Sequence, residues 1–176
     1  MKKILLLSDT HGYVDKRILN YVEQADEVWH AGDIGNLDVT DQIEKLKPLK
    51  AVYGNIDGKD ARISFPEFQQ FYCEQVSVLM THIGGYPGRY TSKIKELLSK
   101  SSPKLFICGH SHILKVMQNK KYKLLHMNPG AAGVQGFHKI RTMLRFEING
   151  DQIHNLEAIE LGQRDIVEIS ADDPKI

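Results

Sequence analysis

Lys3-Ile4-Leu5-Leu6-Leu7-Ser8, running straight into Asp9-Thr10-His11-Gly12, decides how this chain is read. A short aliphatic run broken by a polar, glycine-ended loop has the length of a buried strand. Asp15 then suits a helix N-cap, and Ile18, Leu19 and Val22 recur at helical spacing. Glu27-Val28-Trp29-His30 predicts a second strand, ending at Ala31-Gly32-Asp33. Val39, Ile43 and Leu46 mark a second helix that stops before Pro48. Ala51-Val52-Tyr53 is a third strand, ending at Gly54-Asn55-Ile56-Asp57. Strand, helix, strand, helix, strand is the order of a parallel sheet with crossovers.

Beyond Pro66 the pattern changes. Phe68 to Cys73 and Val76 to Thr81 predict a hairpin turning at Glu74-Gln75. It ends at His82 and a glycine-rich loop, Gly84 to Gly88. Ile94, Leu97 and Leu98 form a third helical stripe. Leu105-Phe106-Ile107-Cys108 reads as a buried strand and ends at Gly109-His110-Ser111-His112. Val116 to Gln118 and Tyr122 to Met127 flank a polar turn, and Asn128 to Gly133 is a loop. Met143 to Ile148 and Ile153 to Ile159 flank Asn149-Gly150, a strong hairpin signal. One α/β domain over residues 1–162 with two sheets follows, and residues 163–176 read as a polar tail.

Composition narrows the function classes. Of the 176 residues, 41% are hydrophobic and 26% charged, as in ordinary soluble proteins. A formal net charge of +1 gives no global pull toward nucleic acid or a membrane surface. Cys73 and Cys108 have no CxxC spacing, which argues against a disulfide scaffold or zinc-thiolate site. The apolar run Ile4 to Leu7 is too short for a signal-peptide core. A cytoplasmic location and no membrane partner are expected.

Residues with metal-binding side chains stand directly after the apolar runs: Asp9 and His11, Asp33, Asn55, His82, then His110 and His112. The carboxyl edge of such strands is where ligands bind in open α/β sheets. Side chains two apart in extended chain point the same way, so His110 and His112 are expected to look into one site. Seven ligands exceed one tetrahedral ion and suit two ions sharing a carboxylate, for which Asp33 is placed. Oxygen and imidazole without thiolate suit Mn²⁺, Fe²⁺ or Zn²⁺. Two divalent ions outweigh the two carboxylates, so the centre attracts an anion, and phosphate esters are the natural class.

The run Asp9-x-His11, Gly32-Asp33, Gly54-Asn55, His82 and Gly109-His110-x-His112 resembles the calcineurin-like metallophosphoesterase family, in the family's order and over nearly the whole chain. Gly54-Asn55-Ile56-Asp57 and Asn128-Pro129-Gly130 resemble its small bacterial and archaeal phosphodiesterases, a subgroup related to the Vps29 subunit of eukaryotic retromer. The resemblance implies a four-layer α/β/β/α sandwich of two mixed β-sheets flanked by helices. It implies one ion on Asp9, His11, Asp33 and His112, and another on Asp33, Asn55, His82 and His110. It also implies in-line attack on phosphorus by a hydroxide bridging the ions, with Asp33, Asn55 and His82 as catalytic residues. Mn²⁺ is the expected ion, with Ni²⁺, Co²⁺, Fe²⁺ and Zn²⁺ as other choices. Many relatives carry a leaving-group acid, a histidine, where this chain has Ile56. General acid help is typically worth about 10²–10⁴-fold. Asp57 is expected to orient its neighbours.

The expected function is a metal-dependent phosphohydrolase, a phosphodiesterase acting on a small phosphodiester. Its rivals are a non-catalytic Vps29-like interaction module and a phosphomonoesterase or nucleotide pyrophosphatase on the same dimetal site. A competent residue at every ligand position favours the enzyme. Pairing of chains into a homo-oligomer through the outer helices or the tail is a further expectation. His30 and His126 are expected as hydrogen-bonded core residues, and His138 and His154 as surface residues. Tyr86, Arg89 and Tyr90 either line a substrate pocket or form a solvated loop. Lys120 and Lys121 read as solvated turn charges.

Overall fold

A computed structural model of the protein describes residues 1–166. In chain order the elements are β1 (Lys2–Leu7), α1 (Lys16–Gln24), β2 (Glu27–His30), α2 (Leu37–Glu44), β3 (Leu49–Ala51), α3 (Lys59–Ser64), β4 (Phe68–Cys73), β5 (Val76–Thr81), α4 (Ser92–Ser101), β6 (Leu105–Ile107), β7 (Leu114–Asn119), β8 (Leu124–Pro129), β9 (Ile140–Asn149) and β10 (Gln152–Gln163). They build two five-stranded sheets, β10-β9-β1-β2-β3 and β4-β5-β6-β8-β7. Both are mixed. β1, β2 and β3 run parallel, with β9 antiparallel beside β1; β5, β6 and β8 also run parallel, with β4 and β7 antiparallel on either side.

Three apolar layers hold four layers of structure together. Between the sheets lie Ile4, Leu6, Trp29, Met80, Ile107, Leu144 and Phe146. Trp29 is fully buried there, its ring edge-on to Phe71 and Phe146. The outer face of the first sheet, with Leu5, Leu7 and Val28, is covered by Ile18 and Val22 of α1 and by Val39 and Ile43 of α2. Ile94 and Leu98 of α4 cover Leu79 and Phe106 on the outer face of the second. β1 and β6 are thus buried on both faces, which is why their sequences run apolar without alternation. The architecture is the expected α/β/β/α sandwich.

Local chemistry sets the ends of the elements. Asp15 caps α1, its Oδ1 accepting the Ile18 N–H at 2.9 Å. Such a cap is worth about 1 kcal/mol. Ser102, left-handed at φ 44°, ends α4 just before Pro103. The hairpin at Glu74-Gln75 forms as expected, with Cys73 opposite Val76. In the second hairpin Asn149 pairs with Gln152, so its central residues are Gly150 and Asp151, one step beyond the expected pair.

Four details differ from the sequence reading. Leu46 is 39% exposed, because α2 ends at Glu44 and the chain turns off the sheet toward Pro48. β3 ends at Ala51, although the Val52 N–H still bonds the His30 carbonyl. α3 was not expected; six residues with one buried side chain, Ala61, are too few for a helical period to show. β10 runs on through a register shift to Gln163, opposite Ile140. Of the expected tail, residues 167–176 lie outside the described residues.

Candidate metal centre

The C-terminal ends of β1, β2 and β3 deliver Asp9, His11, Asp33 and Asn55, and those of β5 and β6 deliver His82, His110 and His112. The centre therefore lies where the parallel edges of both sheets meet. Asp9, His11 and His112 bring one ligand atom each within 4.8 Å of one another, and so do Asp33, His82 and His110. Each trio draws on both sheets. Asp33 links the trios, with Oδ1 3.1 Å from His82 Nε2 and Oδ2 3.7 Å from His11 Nε2. Asp9 Oδ1 stands 3.1 Å from His112 Nε2 and 4.0 Å from His82 Nε2. Asn55, exposed, shares a depression of about 260 Å³ with His82, Tyr53, Arg62, Glu67 and Ile83. A larger cavity of about 430 Å³, lined by Lys3, Tyr21, Arg145 and Glu157 among others, holds none of these residues.

The arrangement fits cations. Asp9 Oδ1, His11 Nε2 and His82 Nε2 are buried and have no hydrogen-bond partner among the described residues. Leaving such atoms bare is costly unless a charge answers them. His82 Nδ1 lies 2.8 Å from the Ala31 carbonyl, so it carries the ring proton and Nε2 is bare. A bare nitrogen and a carboxylate oxygen 3.1 Å apart repel unless a cation or proton answers both. Two ligands about 2.1 Å from one ion and at right angles stand about 3.0 Å apart. Burial disfavours charge on His82, but Asp33 and Asp9 outweigh it and raise its pKa. Burial likewise opposes the Asp33 carboxylate, and His82, the Ile56 N–H and His11 outweigh it and hold its pKa low. The anionic pocket draws a proton where a metal would sit, so metal uptake releases protons.

The backbone is shaped around these side chains. Asp9, His11, Asp33, His110 and His112 all have positive φ, between 49° and 69°. Asp and His enter this region more readily than most residues, at about 1–2 kcal/mol each. His110 and His112 do not alternate along extended chain as expected. Both are left-handed in a loop beyond β6, and each joins a different trio. Gly54 and Gly109 are required by close approach. A Cβ on Gly54 would lie 2.0 Å from Asp33 Oδ1, and one on Gly109 2.1 Å from Ser8 Oγ.

Residues behind the ligands fix the loops. Asp57 is buried and accepts the N–H groups of Ile34, Gly35 and Gly54 at 3.2, 2.8 and 2.7 Å. It bolts the Asn55 loop to the Asp33 loop, the orienting role expected of it. The Arg62 guanidinium of α3 donates to the carbonyls of Asp57, Gly54 and Asn55 and stacks on Tyr53. The Asn128 amide donates to the Gly109 carbonyl at 2.8 Å and to Ser111 Oγ at 3.1 Å, holding the two-histidine loop. His30, fully buried, accepts the Gly32 N–H and shares a hydrogen bond with Thr10, and burial pulls its pKa down to about 4. Tyr90, buried beneath α4, bonds His126, while Tyr86 is exposed.

His138 is not the surface residue expected. Its Nδ1 lies 3.2 Å from His112 Nδ1, and its Nε2 3.0 Å from the Gly133 carbonyl. Burial, opposed by that carbonyl and seconded by His112, lowers its pKa. It sits in a turn-rich loop without periodicity, where sequence offers no cue to what a side chain touches.

The model of the calcineurin-like phosphoesterase superfamily domain matches residues 1–151. The chain belongs to that superfamily. A curated relative, a probable metallophosphoesterase of Methanothermobacter thermautotrophicus, is 26% identical over 162 residues, covering 89% of this chain and 91% of the relative. Vps29 of Entamoeba histolytica, solved in complex with Zn²⁺, superposes with a TM-score of 0.70 at 15% identity, covering 90% of this chain and 98% of that one. A structure described as a novel archaeal phosphodiesterase gives 0.69 at 22% identity, covering 90% and 99%. At such identities the solved structures speak for the fold. Membership in a metallophosphoesterase superfamily implies divalent metals, and the two trios are where this chain offers ligands.

Proposed function

We propose that this chain is a phosphodiesterase that works at a centre for two divalent ions, held by Asp9, His11, Asp33 and His112 on one side and Asp33, Asn55, His82 and His110 on the other. One observation carries the reading: the buried, unpartnered Asp9 Oδ1, His11 Nε2 and His82 Nε2 converge from two sheets. Bound divalent ions supply Lewis acidity toward phosphoryl oxygens and lower the pKa of water to about 7. Asp33 is the shared carboxylate, since its two oxygens face different trios. Asn55 adds a neutral oxygen at the rim. The depression beside it, with the Arg62 cation at its edge, receives the leaving group. Ile56, 45% exposed, has no proton to give to that group. Diesters of acidic alcohols and phenols are therefore the favoured substrates, and Mn²⁺ the working ion.

The test is hydrolysis by protein stripped of metal and reloaded with Mn²⁺, Ni²⁺, Co²⁺ or Zn²⁺. Bis(p-nitrophenyl) phosphate and p-nitrophenyl phosphate supply one leaving group in diester and monoester form. Faster turnover of the diester is expected. Faster turnover of the monoester would make the centre a phosphomonoesterase. No turnover with any ion would favour an interaction module of the Vps29 kind.

A further inference from the structure

We propose that His138 is a positioning residue that sets the tautomer of His112 and so presents a bare Nε2 to one of the two ions. The inference rests on the metal-centre reading above. The Gly133 carbonyl can only accept, so the 3.0 Å contact places a proton on His138 Nε2. A neutral imidazole has one N–H and one bare nitrogen, so Nδ1 of His138 is the acceptor. The two Nδ1 atoms, 3.2 Å apart, share one proton, and it belongs to His112. His112 Nε2 is left without a proton, 3.1 Å from Asp9 Oδ1 and turned toward the Asp9-His11-His112 trio. The opposite tautomer would aim an N–H at the cation.

The support for His138 is itself anchored. The Gly133 N–H donates to the Asp9 carbonyl at 3.1 Å. The contacts thus close a ring, from the Asp9 backbone through Gly133, His138 and His112 back to the Asp9 carboxylate. At the other end of the loop Arg164 donates to the Lys139 and Gly136 carbonyls. The His138 ring meets that of His112 edge-on, with centroids 5.1 Å apart, so His112 is steered in angle as well as in protonation. Outer partners of ligating histidines act in this way on affinity.

Two variants test it. His138→Leu removes both hydrogen bonds, whereas His138→Gln can accept from His112 and donate to Gly133. Calorimetric titration of metal-free protein with Mn²⁺ at pH 8 should show His138→Leu weakened about 10–100-fold at one ion and unchanged at the other, with His138→Gln restored to within about threefold of wild type. Ring ¹⁵N shifts of metal-free wild type should show His112 protonated at Nδ1 and bare at Nε2. Wild-type affinity for both ions in His138→Leu would overturn the proposal. So would equal weakening in His138→Gln, which would leave a packing role alone, or a proton on His112 Nε2. Wild type that binds no Mn²⁺ would sink the metal-centre reading and this role with it, whereas the variant comparison separates the two when metal does bind.

Discussion

Asp57→Ala takes away the carboxylate on which three backbone N–H groups converge from two different loops. Those of Ile34, Gly35 and Gly54 approach at 3.2, 2.8 and 2.7 Å, and the carboxylate is almost wholly shielded from water. Hydrogen bonds to a charged acceptor contribute about 1.5–3 kcal/mol each, so three at the low end sum to about 4.5 kcal/mol. Ile56 and Gly58 beside the site are exposed, so water can enter the vacated space and restore part of this. A net loss of about 3 kcal/mol remains, which lowers Tm by about 6–12 °C in a chain of this size. Thermal unfolding of metal-free protein, followed by circular dichroism, measures it. The same change should loosen metal binding, because the Ile56 N–H that bonds Asp33 Oδ1 sits in the loop Asp57 holds. A Tm within about 3 °C of wild type would refute the reasoning, since it would mean that solvent replaces all three bonds at no cost.

Asp33→Ala should strip both ions, and His110→Ala should mainly weaken one; metal content per purified chain decides, and two ions retained in Asp33→Ala would refute the sharing. Glu27, at the opposite end of β2, is buried, which opposes its charge, yet Lys50, Trp29 and Lys2 outweigh this and hold its pKa low. Its contribution to stability is therefore complete above the unfolded carboxyl pKa of about 4.3 and fades as pH falls through the lower folded value. The Tm gap between wild type and Glu27→Gln should shrink from pH 6 to pH 3.5, and a constant gap would count against the ion pairs. Across diesters of graded leaving-group pKa, log kcat should fall steeply as the leaving group becomes more basic; a flat line would reveal another proton donor in place of Ile56.

Sequence carried the sheet order of the first third because β1, β2 and β3 each announce themselves with a short apolar run and a polar, glycine-containing break. It pointed to seven candidate ligands for the same reason, since each stands just past a strand, and six of them fall in the two trios. It failed where structure is set by contacts between distant loops. Nothing local distinguishes His138 from His154, yet one touches His112 and the other is exposed. Tyr90 borders a glycine-rich loop, a place in the sequence that suits pocket lining, whereas the apolar cluster under α4 claims it. The alternation rule brought His110 and His112 to one centre but for the wrong geometric reason, because it assumes extended chain and both residues are left-handed.

That conformation also explains how two sheets come to share one centre. An extended loop leaving β6 would point His110 and His112 toward one and the same face. Left-handed turns at His110 and His112 instead fold the chain back across the sheet edge, each ring reaching a carboxylate that enters from the other sheet. Asp9 and Asp33 make the matching turn from the other side, Asp9 Oδ2 accepting the His110 N–H at 3.2 Å. Five such residues store several kcal/mol of strain at about 1 kcal/mol each, which the bare chain must hold by packing and hydrogen bonds alone. Asn128, Asp57 and His30 supply those bonds from behind, without entering the centre. The strain is thus borne by the scaffold before any ion arrives, and the ligand atoms stand ready in opposed pairs that a cation relieves.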